Sequence, residues 1–227
     1  MKTAVFGTGI VGQTIASRLA GLGHDVTVGT RDVAGALART GKDAMGNAPF
    51  ADWHKQNASI KLAAFAQAAS ASEIIFNCTL GLGSVDAFKL AGDANLKGKI
   101  IVDISNPLDF SKGMPPSLSI VNTDSLGETI QRAFPETKVV KTLNTMVCFL
   151  MVNPAIVPGD HNVFVSGNDA AAKATVTKIL NSFGWKEGNV LDLGDITTAR
   201  GTEQLVSLWV RILGKLQTPM FNFNLVK

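Results

Sequence analysis

Apolar runs alternate with amphipathic stretches along most of the chain, and this pattern predicts its secondary structure. The runs IIF and IIVDI lack polar alternation, which is typical of parallel strands buried on both faces. Predicted strands cover residues 3–6, 25–29, 59–64, 73–79, 99–104, 138–143, 162–166 and 189–193. Predicted helices begin near residue 10 and cover 33–40, 63–71, 169–183 and 197–216. This alternation predicts an α/β fold, a doubly wound Rossmann-type parallel sheet with right-handed crossovers.

The length of 227 residues suits one large domain or two small ones. We expect a dinucleotide-binding domain over 1–150 and a small C-terminal α/β part over 151–227 that closes the substrate site. The last predicted helix carries an apolar face with spacings of three and four residues. Its members are Leu205, Leu208, Trp209, Ile212, Leu213 and Leu216. The tail 221–225 could add an edge strand or pack on a partner, and these apolar residues favour a homodimer.

Composition and charge exclude several classes of function. The net charge of +3 is spread along the chain without a basic cluster, so we expect no nucleic-acid partner. No apolar run is long enough to cross a bilayer, and Met1-Lys2 leads directly into a strand, so we expect neither membrane span nor signal peptide. Cys78 and Cys148 each lie in an apolar stretch, which favours free thiols and a cytoplasmic location.

A glycine-rich turn joins the first predicted strand to the first predicted helix. Gly7, Gly9 and Gly12 have the GxGxxG spacing of dinucleotide-binding turns. The first glycine permits the tight turn, the second lets a pyrophosphate approach, and the third lets the helix pack on the strand. The helix N-terminus adds unpaired N–H groups and a positive dipole, so we favour cofactor binding over a purely structural turn. The expected cofactor contacts are Gly7, Thr8, Gly9, Ile10, Val11 and Gly12.

The residues after the second predicted strand indicate which dinucleotide binds. NAD-binding units usually have an acidic residue there, whereas this chain has Thr30-Arg31. The Arg31 guanidinium and the Thr30 hydroxyl can both donate to a 2′-phosphate, so we expect NADP(H). Asp32 would repel that phosphate unless it turns away, and we expect it to cap the next helix. The alternative is that Arg31 is only a solvated surface charge.

Small polar residues at the ends of later strands are candidates for the nicotinamide and acceptor site, because open α/β sheets bind ligands there. Cys78, Thr79 and Asn106 are expected to contact the cofactor. Asn144 is expected at the cofactor, and with Met146 at the acceptor pocket. The alternatives are turn chemistry at Asn106, a satisfied core amide at Asn144 and a core methionine at Met146.

Several kinds of catalytic chemistry have no residues to carry them. The chain has no tyrosine, which excludes a Ser-Tyr-Lys set, and no HExxH or Cys/His cluster, so we expect no metal. We expect His24 and His161 at the surface rather than in catalysis. Lys141 lies in a strand and faces either the core edge or the site. No residue suggests a general acid, but hydride transfer between two cofactors can proceed by proximity and ring stacking.

The sequence resembles the NADPH-dependent reductases of the deazaflavin coenzyme F420. The matching stretches are GTGIVGQTIASRLAGLGHDVTVGTRD, VDISNPLD, KVVKTLNTM, VFVSGND and DLGDITTARGTEQLVSLWVRI. The resemblance implies hydride transfer between NADPH and a deazaflavin stacked on the nicotinamide, in a dimer. It implies that Thr8, Thr30 and Arg31 hold phosphates and that Asn144 and Met146 border the deazaflavin. It also implies that the turn over 193–200 closes the pocket.

Other functions remain open at this stage. The nucleotide unit also resembles the cytosolic part of ferric reductases that pass electrons from NADPH to a flavin. The acceptor is therefore a deazaflavin first, and a flavin, a ferric-flavin system or another small molecule second. A non-catalytic NADPH-binding sensor is the alternative from a different class.

Overall fold

Ten strands lie in the part of the chain that the computed structural model describes, residues 1–42 and 46–226. Eight of them form one central sheet, and the other two form a short hairpin. The strands are β1 (Lys2–Phe6), β2 (Asp25–Thr30), β3 (Lys61–Ala64), β4 (Ile74–Asn77), β5 (Ile100–Asp103), β6 (Leu108–Asp109), β7 (Ser117–Leu118), β8 (Lys138–Thr142), β9 (Val163–Gly167) and β10 (Val190–Gly194).

Ten α-helices connect these strands within the same described residues. They are α1 (Ile10–Gly21), α2 (Val33–Ala38), α3 (Phe50–Gln56), α4 (Phe65–Ser70), α5 (Ser84–Ala91), α6 (Asp93–Leu96), α7 (Leu126–Ala133), α8 (Cys148–Val152), α9 (Ala170–Phe183) and α10 (Ala199–Leu216). None of the helices in residues 1–42 and 46–226 combines the length and apolar character that spanning a membrane requires.

The sheet order is β10-β9-β8-β5-β4-β1-β2-β3, which confirms the predicted doubly wound fold. β1 lies between β2 and β4 and runs parallel to both. The chain builds outward from β1 to β3 on one side and then returns to β4 on the other. Loops after β1 and β4 therefore diverge and leave a crevice at the carboxyl edge, the usual ligand site of such sheets.

Both faces of the central strands are buried, as their continuous apolar runs predict. Ile74 and Phe76 pack in the core layer on one face of the sheet, and Ile75 packs in the layer on the other. Because successive strand residues point to opposite faces, burial on both sides removes any polar alternation.

The last two strands of the sheet depart from the expected all-parallel arrangement. β9 pairs antiparallel with β8, and β10 runs parallel to β9. The connection from β8 to β9 passes through α8, which brings the chain back in the reverse direction. β9 and β10 extend the same sheet, and the proposed boundary between 150 and 151 stays a prediction.

The predicted helices are longer than the observed ones. The helix predicted over 63–71 begins at Phe65, because Ala63 and Ala64 pair with β2 as the end of β3. The helix predicted over 33–40 ends at Ala38. The β6–β7 hairpin was not predicted, because its strands are only two residues long and carry no periodicity.

The placement predicted for His161 at the surface is wrong. Its side chain is buried, with Nε2 3.1 Å from the Pro154 carbonyl oxygen and Nδ1 2.9 Å from the Asn222 amide nitrogen. The chain tail covers it: the Asn162 N–H donates to the Phe223 carbonyl at 2.8 Å. The described tail residues 217–226 form no strand and pack on their own chain, and His24 is half-buried.

The apolar face predicted for the last helix is largely uncovered in the single chain. α10 buries Ala199, Thr202, Glu203 and Val206, which lie in its first half. In its second half Leu208 and Leu216 are each about half exposed. The predicted helix therefore exists, but its apolar stripe does not pack into the core of this chain.

Candidate functional site

The glycine-rich turn after β1 is shaped by close contacts that leave no room for side chains. Gly7 has a φ of +118°, and a Cβ there would lie 2.6 Å from the Cys78 carbonyl oxygen. A Cβ on Gly12 would lie 2.2 Å from the Gly7 carbonyl oxygen. These two glycines bring α1 against the turn and the turn against the loop after β4.

Gly9 differs from these two because its space is open. A Cβ built on Gly9 meets no heavy atom within 4 Å. Gly9 is also the N-cap of α1, has no side-chain cap, and is followed by a first turn without acidic residues. The first N–H groups of a helix need acceptors, and no side chain caps them at this helix start. The turn therefore has the shape and the positive potential of an anion site.

Thr30 and Arg31 lie next to this turn, as expected from the order of the strands. Phe6 and Gly29 are register partners, and the Gly7 N–H donates to the Gly29 carbonyl at 3.0 Å. Thr30 is nearly buried at the end of β2, whereas Arg31 is exposed. The structure thus places Thr30 and Arg31 at the end of β2, beside the glycine turn.

The Asp32 carboxylate caps the next helix, as predicted. Its Oδ1 accepts the Gly35 N–H at 2.9 Å, which makes it the N-cap of α2. A Cβ on Gly35 would lie 2.3 Å from Asp32 Oδ2, so the end of the Asp32 side chain would have to shift to admit a side chain there. The cap commits the Asp32 carboxylate to the N-terminus of α2, so it is not free to turn toward a phosphate at Arg31.

Arg39 is a residue at this site that the sequence reasoning missed. Its Nη2 donates to Thr8 Oγ1 at 2.8 Å, across the glycine-rich turn. The two residues are 31 positions apart, and no local sequence signal links them. The structure therefore places the Arg39 guanidinium at the turn that the end of β2 adjoins.

The loop after β4 presents a fixed hydroxyl group to the crevice. Thr79 is half-buried, and its Oγ1 donates to Asn77 Oδ1 at 2.7 Å. Asn77 is fully buried and donates in turn to Asp103 Oδ1 at 2.9 Å. The neighbouring Cys78 is half-buried, and burial of its thiol raises the Cys78 pKa well above the usual value. That thiol stays protonated at neutral pH and is not a nucleophile.

Asn106 and Asn144 form a reciprocal amide pair across the ends of β5 and β8. Asn144 Nδ2 donates to Asn106 Oδ1 at 2.9 Å, and Asn106 Nδ2 donates to the Asn144 carbonyl at 2.8 Å. Asn144 also donates to the Thr202 carbonyl at 3.1 Å, which ties the pair to α10. Asn144 is 4% exposed and Asn106 is half-buried, so Asn106 is the amide that reaches the crevice.

The structure does not bring Met146 to the surface of the crevice. Its side chain is 6% exposed and packs in the apolar core layer on the α1 side of the sheet. Contact of Met146 and of the Asn144 side chain with an acceptor therefore stays a prediction. Large apolar side chains that are exposed after strand ends are instead Leu80, Leu82 and Phe149.

A buried cluster of charged side chains lies beneath the ends of β5 and β8. Lys141 Nζ lies 2.8 Å from Asp103 Oδ2 and 2.8 Å from Glu203 Oε1, and all three side chains are almost completely buried. Burial alone would lower the pKa of Lys141, but the two carboxylates outweigh it and hold that pKa above its usual value. Lys141 thus faces the core rather than the open crevice, and it joins β5, β8 and α10.

Glu203 and Glu128 link the predicted closing turn to α7. Glu203 accepts the Leu126 N–H at 2.8 Å and the Gly127 N–H at 3.0 Å, at the N-terminus of α7. Arg200 donates through Nε to Glu128 Oε2 at 2.8 Å and through Nη2 to Oε1. These contacts fix the start of α10 against α7.

Comparison with known proteins gives a family match for the nucleotide half of the chain. Residues 2–107 match the family model described as NADP oxidoreductase coenzyme F420-dependent. A crystal structure from Arthrobacter sp. FB24, provisionally described as an F420-dependent NADP reductase, is 56% identical to this chain. The match covers 100% of both chains with a TM-score of 0.95.

Two curated relatives match this chain over only part of their own length. The F420-dependent NADP reductase of Methanocaldococcus jannaschii is 32% identical over 117 residues, which are 51% of this chain and 51% of that protein. Metalloreductase STEAP3 of Rattus norvegicus is 28% identical over 206 residues, 90% of this chain and 36% of that protein. The chain thus spans about half or less of the length of these two relatives.

Proposed function

Because the chain belongs to the family of coenzyme F420-dependent NADP oxidoreductases, we propose that it transfers a hydride between NADP(H) and the deazaflavin ring of coenzyme F420. The observation that carries this proposal is the open space above Gly9, bounded by uncapped helix N–H groups on one side. Thr30 and Arg31 flank it on the other side at the end of β2.

The residues present fit NADP(H) at its two charged ends. The α1 N-terminus would hold the pyrophosphate through backbone N–H groups, which Gly9 leaves accessible. The Arg31 guanidinium and the Thr30 hydroxyl would hold the extra phosphate on the adenosine ribose. The Asp32 cap keeps the adjacent carboxylate turned toward Gly35.

The polar groups after β4 and β5 would orient the other end of the cofactor. NADPH supplies the hydride from its nicotinamide ring. Thr79 and Asn106 stand at the carboxyl edge with their side chains held by Asn77 and Asn144. Groups fixed in this way lose little conformational freedom when they bind a carboxamide, so they position the ring with little ordering cost.

A flat, conjugated acceptor fits the remaining groups at the crevice. Leu80, Leu82 and Phe149 follow the ends of β4 and β8 and remain exposed, with 78%, 63% and 45% of their surfaces accessible. Apolar side chains at this edge would cover the face of a ring and exclude water from it. Hydride transfer between two stacked rings depends mainly on proximity, so a strong general acid is not required.

The decisive experiment measures NADPH oxidation by absorbance with coenzyme F420, FMN, FAD and a quinone in turn. The proposal predicts rapid oxidation with coenzyme F420 and much slower oxidation with the other acceptors. Rapid oxidation by FMN or FAD with none by coenzyme F420 would support a flavin or ferric-flavin reductase. The 28% identity to a protein named a metalloreductase favours that second candidate. Tight NADPH binding without oxidation by any acceptor would support a sensor.

The homodimer is also part of the proposal. The second half of α10 leaves Leu208 and Leu216 exposed, at 51% and 52%. Within the described residues the Trp209 indole N–H has no hydrogen-bond partner, although that atom is buried. Trp209 stacks on Phe221 of the tail, with ring centroids 5.4 Å apart. An apolar surface of this kind at the end of a helix is suited to pairing with a second copy.

A further inference from the structure

Arg39 reaches back from the end of α2 to the glycine-rich turn. It is the C-cap residue of α2 and leaves the helix with extended backbone angles, φ −69° and ψ 118°. From there its Nη2 donates to Thr8 Oγ1 at 2.8 Å. An exposed arginine gains little stability from one neutral hydroxyl and loses side-chain freedom in making that bond. The contact therefore matters because it places the positive charge of Arg39 beside Thr8.

The position of that charge is set by two neighbouring strands. Thr8 lies in the turn after β1, and Arg31 directly follows β2. The turn is held beside β2 by the hydrogen bond from the Gly7 N–H to the Gly29 carbonyl. Arg31 and Arg39 therefore lie beside the same turn on two different elements, Arg31 after β2 and Arg39 after α2. Two guanidinium groups beside one turn repel each other unless an anion lies between them.

Position 35, one helical turn before Arg39, is a glycine and supplies no charge. A side chain there would begin 2.3 Å from Asp32 Oδ2, so the end of the Asp32 side chain would have to shift. Asp32 itself accepts the Gly35 N–H, so its carboxylate is committed to the cap of α2. Arg39 is the first basic residue after Arg31 along the chain.

We propose that Arg39 is a second guanidinium for the ribose 2′-phosphate of NADP(H), acting together with Arg31. Thr8 positions it, and because the Thr8 oxygen accepts from Arg39, its own O–H would be available to donate to a phosphate oxygen. A phosphate monoester carries nearly two negative charges at neutral pH, which matches two guanidinium groups. This inference rests on the proposed cofactor and specifies how the chain selects it over NAD(H).

The test is isothermal titration of NADP⁺ and NAD⁺ into the wild type, Arg39→Ala and Arg39→Lys. Arg39→Ala is expected to weaken NADP⁺ by about tenfold, the effect of losing one charge-assisted hydrogen bond to phosphate, and to change NAD⁺ by less than about twofold. Arg39→Lys keeps the charge but loses the planar fork, so it should recover only part of the NADP⁺ affinity.

Arg211→Ala is the matched control, because it removes an exposed guanidinium from α10 and gives the same net charge. It should bind both nucleotides as the wild type does. Unchanged NADP⁺ affinity in Arg39→Ala would overturn the inference, and so would equal losses for NADP⁺ and NAD⁺, which would mean that Arg39 only supports the turn. If the wild type prefers NADP⁺ and Arg39→Ala keeps that preference, the result contradicts this inference alone. If the wild type binds NADP⁺ and NAD⁺ equally, the result contradicts the proposed cofactor as well.

Discussion

At the scale of single residues, two glycines of the same motif have different physical roles. Gly12 is required by packing, because a Cβ would lie 2.2 Å from a backbone oxygen that cannot move without moving β1. Gly9 is not required by packing, since a Cβ there meets nothing within 4 Å and its φ of −74° suits any residue. Packing therefore does not explain the glycine at position 9, whereas the proposed cofactor does.

This difference predicts opposite phenotypes for two alanine variants. Gly9→Ala should lose no more than about 1 kcal/mol of unfolding free energy, the scale of an N-cap change, yet bind NADPH much more weakly. Gly12→Ala should lose about 1–3 kcal/mol, because the methyl group overpacks the turn. Urea unfolding and fluorescence titration with NADPH measure the two effects. A Gly9→Ala protein that binds NADPH like the wild type would mean that the cofactor does not use the space above Gly9.

The residues of the nucleotide site were partly predictable from the sequence. The glycines, the Thr30-Arg31 pair and the Asp32 cap follow from local chemistry at fixed spacings, and the structure confirms the Asp32 cap. Arg39 was not predictable, because its contact with Thr8 depends on where α2 ends and how a long side chain turns back. Such contacts carry no periodic signal.

At the scale of elements, α10 is held to α7 by a bidentate ion pair. Arg200 donates twice to Glu128, and Ser125 donates to Glu128 Oε2 at 2.8 Å. Hydrogen bonding by Arg200 holds the pKa of Glu128 below its usual value, against the opposing effect of burial. The folded state therefore favours the ionised carboxylate.

Glu128→Gln should lower the unfolding free energy by about 1–2 kcal/mol at neutral pH, after allowing for the partial exposure of Arg200. A carboxylate with a lowered pKa stabilises the fold above its unfolded pKa and loses that contribution as pH falls through the folded value. The difference in unfolding free energy between the variant and the wild type should therefore become smaller at acidic pH. Urea unfolding at neutral pH and well below the ordinary glutamate pKa tests this. A gap of equal size at both pH values would contradict the role of the ion pair.

The sequence predicted the existence of most elements better than their directions. Apolar runs located all eight strands of the main sheet, with ends shifted by one or two residues. The antiparallel course of β9 was not visible, because a strand buried on both faces has the same composition in either direction. The burial of His161 depends on the tail, whose packing on its own chain has no sequence pattern.

At the scale of the whole molecule, the sheet order decides where the cofactor can bind. The reversal between β1 and β4 opens the crevice, and the loops after these strands, β2, β5 and β8 supply the groups around it. The nucleotide half was predictable because one motif of 32 residues carries strand, turn, helix and strand together. The acceptor half was not, because its candidate residues come from separate strand ends, and Asn144 and Met146 lie beneath the surface.

The most direct test of the account is the affinity of NADP⁺ and NAD⁺ for the wild type and for Arg31→Ala, measured by isothermal titration. We predict that the wild type prefers NADP⁺. Arg31→Ala should weaken NADP⁺ by about 1–3 kcal/mol, the scale of a lost charge-assisted hydrogen bond, and leave NAD⁺ nearly unchanged. A wild type that binds both nucleotides equally, or a variant that loses both to the same extent, would contradict the assignment of this crevice to NADP(H).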